Sequence, residues 1–150
     1  MKNALESLKA ATFEVMETMF FLFPETVERT ADLFQGPGLR AWIAVAGPRS
    51  FQVGLSLPVK MAQEMAANFL GLPEDEVPED KLHDVVKEAA NMVAGAFLTR
   101  QEVAPSFHLL PPEVQAINLE NIQEQSNHDH LLFAVDDYGL EIFLKRKGKN

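Results

Sequence analysis

The sequence predicts an α+β fold in which two long helices and a shorter one pack on a largely antiparallel β-sheet. Apolar residues recur at helical spacing in three segments and at strand spacing in several others, and glycine-containing turn signals separate neighbouring strand segments. Long helices combined with hairpin-linked strands are typical of the α+β class. With 150 residues and 47% hydrophobic content, the chain can bury a sizeable core, and we expect a single domain over residues 1–150.

The N-terminal half is predicted to contain a helix, a hairpin and a second, shorter helix. The first helix is expected to end at Pro24, since proline cannot continue a helix. An ambiguous polar stretch follows, in which Gly36-Pro37-Gly38 indicates a turn, and Gly47-Pro48 joins the two hairpin strands. Gly71 ends the second helix. The predicted bounds are Ala4–Phe23, Leu39–Ala46, Ser50–Leu57 and Pro58–Leu70.

The C-terminal half is predicted to contain one long helix, short strands and a final hairpin. Glu79 and Asp80 lie at the start of the helix, where the helix dipole favours acidic side chains. Residues 121–130 are polar and predicted as a loop, and the strand-like segment before them is also compatible with a loop. The final hairpin turns at Asp137-Tyr138-Gly139. The predicted bounds are Asp80–Gln101, Phe107–Leu110, Gln115–Leu119, Leu131–Asp136 and Leu140–Lys145.

Composition excludes several classes of function. A net charge of −9 argues against a nucleic-acid partner, because phosphate contacts need a basic surface. The chain has no cysteine, which excludes disulfides and thiolate chemistry and is compatible with a cytoplasmic protein. The apolar N-terminal block contains four charged residues, so we expect neither a signal peptide nor membrane insertion.

One stripe of the first helix is predicted to be core. Six Met and eleven Phe are many for a chain of this size, so the stripe is also compatible with an extension into a dimer interface. We favour the core. The stripe consists of Phe13, Met16, Met19, Phe20 and Phe23.

The long helix carries the most informative pattern, a polar stripe made of Asp84, Glu88, Asn91 and Gly95. At helical spacing these four positions fall within an arc of roughly 60°. An amide does not titrate, so Asn91 is suited to holding a water or a substrate oxygen by hydrogen bonds. A glycine inside a helix is unfavourable, which suggests a close approach at Gly95. The alternative is that the stripe only faces water, as most charged helix surfaces do.

The pattern D-x-x-x-E-x-x-N-x-x-x-G, with a strand-like run and Pro111-Pro112 after it, resembles the signature of the CheC/CheX chemotaxis phosphatases. The order of the surrounding elements also agrees, and the chain is most similar to the CheX type. The resemblance implies a pseudo-symmetric, CheC-like arrangement of helices on the sheet. It also implies a phosphatase that acts on the phosphorylated aspartate of a CheY-like response regulator.

The resemblance assigns roles to the four residues of the stripe. Glu88 and Asn91 are implied to be catalytic, and Asp84 and Gly95 to contact the partner. Since the regulator supplies its own Mg²⁺ and lysine, no cofactor or metal is expected on this chain. The resemblance further implies a homodimer formed by joining two sheets. A different class of function remains open, that of a non-catalytic dimeric adaptor which binds a response regulator or another signalling protein.

The first helix contains a weak echo of the stripe. Ala10, Glu14, Glu17 and Phe21 have the same spacing, but only the glutamate is retained. We therefore expect one active site, with Glu14 and Glu17 on a solvated helix face.

Histidines give weaker candidates. His128, Asp129 and His130 form an H-x-H motif that could ligate a metal, but no further ligand is evident from the sequence. His83 and His108 have no nucleophile partner and are interpreted as incidental.

Overall fold

The computed structural model describes residues 3–27, 31–102, 106–124 and 129–146. Within these residues, helices pack on a single antiparallel sheet, which confirms the predicted α+β class. None of these helices combines the length and apolar character that crossing a membrane requires. The helices are α1 Ala4–Met19, α2 Val59–Leu70 and α3 Glu79–Arg100, and the strands are β1 Glu25–Thr26, β2 Pro37–Ala46, β3 Phe51–Pro58, β4 His108–Leu109, β5 Glu113–Asn118, β6 Asp129–Val135 and β7 Tyr138–Arg146.

The sheet has the order β1-β6-β7-β3-β2, and both β4 and β5 pair with the free side of β2. Every pairing is antiparallel. The two predicted hairpins, β2–β3 and β6–β7, are both present, so the local turn signals identified them correctly. Their connection to each other, β3 against β7, joins segments far apart in the sequence.

Two turns differ from the prediction. Strand β2 starts at Pro37, so Pro37 and Gly38 belong to the strand and not to the predicted turn. The last hairpin turns at Asp136 and Asp137, because Val135 pairs directly with Tyr138. Asp136 has a φ of 51°, the left-handed conformation that aspartate tolerates better than most residues.

The main core lies between the helices and one face of the sheet. Side chains alternate along a strand, so every second residue of the central strands points to the helices. The strand residues on this face are apolar and buried, which is why the helices can cover them. They are Leu39, Ala41, Ile43 and Val45 of β2, Phe51, Val53, Leu55 and Leu57 of β3, and Leu140, Ile142 and Leu144 of β7.

The other face of the sheet contains a buried ionic row. Arg40, Ser56 and Glu141 are cross-strand neighbours on β2, β3 and β7. Arg40 donates Nε to the Ser56 hydroxyl at 2.9 Å and Nη2 to Glu141 Oε1 at 3.0 Å. His130 Nδ1 lies 2.9 Å from Glu141 Oε2. The guanidinium also lies over the ring of Phe143, 5.1 Å from its centroid. The fully buried carboxylate is thus compensated by charged and polar partners.

Helix α1 ends at Met19, four residues before the predicted end at Phe23. The backbone N–H of Leu22 bonds back to the carbonyl of Met16, and Phe21 takes a left-handed φ of 56°. The predicted core stripe is confirmed at Met16 and Phe20, which are buried, and Phe13 is half-buried against Phe133. It is wrong at two positions. Met19 is exposed at the last residue of the helix, and Phe23 is exposed beyond the helix end.

The segment predicted as a strand or loop near residue 115 forms β5, which starts two residues earlier, at Glu113. The predicted polar loop begins as a 3₁₀ helix, Leu119–Glu124, and residues 125–128 of it lie outside the described residues. Leu119 and Ile122 are buried with Phe34 in a small second cluster. That cluster covers part of the sheet face that the α-helices leave open.

Candidate functional site

Helix α3 positions the polar stripe on its outer surface. Asp84 and Glu88 are exposed, and Asn91 and Gly95 are half-buried. The rest of the helix packs against α1, α2 and the sheet, so its position is fixed by a large apolar contact. The buried residues are Leu82, Val85, Val86, Ala89, Ala90, Val93, Ala94, Phe97 and Leu98. The structure therefore brings the four predicted site residues together on one rigid helix.

The two central side chains of the stripe have no partner among the described residues. Neither Glu88 nor Asn91 makes a side-chain hydrogen bond or ion pair there. Asp84 lies 3.9 Å from the ammonium of Lys87, a pair that sequence reasoning did not single out. Both partners are partly exposed, so this pair contributes little to stability. Glu88 and Asn91 thus present an unoccupied carboxylate and carboxamide, one helical turn apart.

Helix α1 lies beside α3 and runs antiparallel to it. The start of α1 is next to the end of α3, where Gln101 Nε2 donates to the Ser7 hydroxyl at 2.7 Å. Arg100 Nη2 donates to Glu14 Oε1 at 3.0 Å. Both contacts join α1 to the C-terminal end of α3.

The echo of the stripe on α1 does not form a second site. Ala10 is half-buried and Glu17 is exposed, while Phe21 lies beyond the end of the helix. Glu14 is exposed as predicted, but Arg100 also holds its carboxylate. The retained glutamate therefore already has a cationic partner, whereas Glu88 has none among the described residues.

The histidine candidates do not assemble into a site. His128 lies outside the described residues, Asp129 is exposed, and His130 contacts Glu141. His83 is half-buried on α3, and His108 is exposed on β4. In the part of the chain that the structure describes, no group of three potential ligands could hold a metal ion.

A separate acidic group surrounds the β6–β7 turn. Burial raises the pKa of Glu64, and the nearby carboxylates of Asp136 and Glu74 raise it further. Burial also raises the pKa of Tyr138, with the same acidic neighbours adding to the shift. These groups repel one another and do not include the residues of the stripe.

Comparison with protein families identifies the chain. The family model described as "Chemotaxis phosphatase CheX" matches residues 39–136, which include the whole of α2 and α3 and end before β7. The chain belongs to the chemotaxis phosphatase CheX family. This confirms the family predicted from the stripe, and with it the predicted phosphatase function. Comparison with curated protein sequences gives no match.

Solved structures of CheX proteins share the fold over nearly the whole chain. The chemotaxis protein CheX of Vibrio vulnificus is 19% identical, with a TM-score of 0.76 and 97% of each chain covered. CheX of Desulfovibrio desulfuricans is 16% identical, with a TM-score of 0.73 over 96% of this chain and 99% of the other. A CheX–CheY–BeF3–Mg complex from Borrelia burgdorferi is 19% identical, with a TM-score of 0.68 over 99% and 100%.

Gly95 has open space around it in this CheX-family chain. A Cβ atom built at this position would meet no other atom within 4 Å. Nothing in the described part of the chain therefore requires glycine there, whereas Gly54 has Phe143 Cζ at 2.3 Å and the Ala41 carbonyl at 2.6 Å from such a Cβ.

Replacing Gly95 with alanine is expected to raise the free energy of unfolding by about 0.5–1 kcal/mol, because alanine is the better helix former. Urea unfolding monitored by circular dichroism measures this change. Gly54→Ala is the opposite control and is expected to destabilise by about 1–3 kcal/mol through overpacking. If Gly95→Ala is instead destabilising, glycine serves a structural need at that position.

Proposed function

We propose that Glu88 and Asn91 form the active site at which this chain hydrolyses the aspartyl phosphate of a CheY-like response regulator. The observation that carries the proposal is a pair of polar side chains that have no partner in the described part of the chain and lie on the outer face of a well-packed helix. A substrate that is itself a folded protein needs such a protruding site, since it cannot enter a cavity. The complex of CheX with CheY from Borrelia burgdorferi supports this choice of substrate.

Asn91 is the water-positioning residue in this proposal. Its carboxamide has both donor and acceptor groups, so it can hold a water and a phosphoryl oxygen in fixed relation. An amide cannot remove a proton at neutral pH, and the contribution is therefore one of orientation. Phosphoryl transfer depends mainly on positioning and electrostatics, and alignment of the water in line with phosphorus is enough to accelerate it.

Glu88 lies one turn before Asn91 and is proposed to accept a hydrogen bond from the lysine of the regulator. This ion pair would fix the orientation in which Asn91 enters the phosphorylation site. Asp84 and Gly95 extend the same line in both directions and are proposed to contact the partner. The metal ion and the lysine belong to the regulator, so the proposal requires no cofactor on this chain.

The decay of phosphate on a CheY-like regulator from the same organism tests the proposed function. The regulator is phosphorylated with a small phosphodonor, and its decay is followed with and without catalytic amounts of this chain. Acceleration with multiple turnovers supports the proposal. Binding of the regulator without acceleration would contradict it and would favour the non-catalytic adaptor.

A homodimer formed by joining two sheets is part of the proposal, and β5 is the strand that supports it. This six-residue strand pairs with β2 alone among the described residues, so its other edge can receive a second strand. Sedimentation equilibrium is expected to give twice the chain mass of 16.7 kDa. A mass of one chain at micromolar concentration would contradict the dimer. The proposal also places the protein in the cytoplasm, together with its substrate.

A further inference from the structure

Exposed apolar side chains are concentrated at one end of the molecule. The described residues include eight large hydrophobic side chains that are exposed. Six of them lie in the last two residues of α1 or α2, or within four residues after one of these helices. The ends of the two helices are in contact, because Phe20 stacks against Phe69 with ring centroids 5.4 Å apart and Asn68 Nδ2 donates to the Phe20 carbonyl. We call this surface the apolar patch; it consists of Met19, Phe21, Phe23, Phe69, Leu70 and Leu72.

Phe21 occupies a backbone position that disfavours it. Helices often end with a left-handed residue, and glycine is preferred there because it lacks a Cβ atom. Helix α2 follows this rule, with Gly71 at a φ of 69°. Helix α1 instead has Phe21 at a φ of 56° with 63% of its surface exposed. Neither burial nor backbone geometry explains a phenylalanine at this position, which points to a contact with another molecule.

The patch lies level with the polar stripe along the helix pair. In antiparallel helices, each residue forward on α1 corresponds to one residue backward on α3, because the rise per residue is the same. If Ser7 lies opposite Gln101, then Met19 lies opposite position 89 of α3. If Glu14 lies opposite Arg100, then Met19 lies opposite position 95. The exposed end of α1 therefore lies beside the part of α3 that carries Asn91.

The stripe alone is too small to hold a protein substrate. Standard protein–protein interfaces bury about 800 Å² on each partner and involve roughly 20–30 residues on each side. Four residues on one helix supply a small part of this area, so the regulator must also cover the neighbouring surface. Exposed aromatic residues are the type that dominates binding energy at such interfaces.

We propose that the apolar patch is the docking surface for the response regulator, with Phe21 as its principal aromatic anchor. Docking there would hold the regulator against α1 and α2 while Asn91 reaches the phosphoryl group. This inference rests on the proposed function and adds to it the surface that determines affinity. The patch contributes binding, whereas the stripe contributes the chemistry.

The test compares Phe21→Gly with the wild-type chain. Titration with the beryllofluoride-loaded regulator measures Kd, and phosphate decay measures KM and kcat. We expect Kd and KM to rise about tenfold, the loss typical of a hot-spot aromatic, with kcat retained at saturating regulator. The midpoint of thermal unfolding is expected to stay level or rise, because glycine relieves the left-handed conformation. With such a midpoint, a fold defect could not explain weaker binding by Phe21→Gly.

Leu110→Ser is the matched control, since Leu110 is also an exposed large hydrophobic but lies after β4, outside the patch. Its Kd is expected to stay within about twofold of the wild type. An unchanged Kd for Phe21→Gly, with an active wild type, would overturn the docking surface and leave the phosphatase intact. Conversion of a dimer to a monomer by Phe21→Gly, with unchanged Kd, would assign the patch to a second copy and would also overturn it. A wild type that neither binds nor dephosphorylates the regulator would overturn both proposals.

Discussion

Replacing Asn91 with alanine is expected to slow hydrolysis of the aspartyl phosphate by about 100-fold or more, the usual effect of losing a group that positions a reactant. The affinity for the beryllofluoride-loaded regulator is expected to change little, because the surrounding surface remains. Folding is also expected to be unaffected, since the amide makes no hydrogen bond with the described residues. Single-turnover phosphate decay and titration calorimetry measure the two quantities separately.

Two further variants make this result specific. Asn91→Asp has nearly the same shape but adds a negative charge beside the phosphoryl group, so it is expected to be as inactive as the alanine variant. Asn121→Ala removes an exposed amide from the 3₁₀ helix on the other side of the sheet and is expected to retain full activity. Full activity of Asn91→Asp would show that a general base, and not an oriented amide, drives the reaction.

Replacing Arg40 with leucine is expected to lower the free energy of unfolding by about 3–5 kcal/mol, the range for removing one partner of a buried ion pair. The Glu141 side chain has no exposed surface, and it would lose the guanidinium that bonds to it at 3.0 Å. The hydroxyl of Ser56 and the ring of Phe143 would lose contacts with the same group. Urea unfolding at neutral pH measures the change.

The control for this change is Arg100→Leu, which breaks an ion pair of the same length in a different environment. The Arg100–Glu14 pair also measures 3.0 Å, but its side chains are 41% and 52% exposed. Water screens such a pair, so the loss is expected to be about 1 kcal/mol or less. Equal losses in the two variants would mean that burial does not determine the strength of the Arg40–Glu141 pair.

Much of this fold could be predicted from the sequence, because turn residues and apolar periodicity determine structure over a few neighbouring residues. Gly71 ends α2 as expected, and the stripe on α3 follows from a helical period that holds over 22 residues. Helix α1 ends earlier than predicted, although the apolar run through Phe23 still fits a helix. The actual end depends on Phe21 adopting a left-handed conformation, which sequence preferences for phenylalanine disfavour.

Features that depend on strand register could not be predicted. Arg40, Ser56 and Glu141 are separated by 16 and 85 residues, and only the pairing of β2, β3 and β7 makes them neighbours. The apolar patch depends on helix packing, since it joins the ends of two helices that are distant in sequence. A signal for it did exist, because Phe21 and Phe23 lie next to Pro24 at the expected end of a helix.

The inner and outer residues of helix α3 have different roles. Its inner residues maintain the fold, while Glu88 and Asn91 on the outer surface have no structural task within the described residues. A single substitution at Asn91 would therefore leave a stable protein that still occupies the phosphorylated regulator. Such a copy would shield the phosphate from active copies and prolong the signal, so loss of catalysis here would produce an antagonist and not merely an inactive protein.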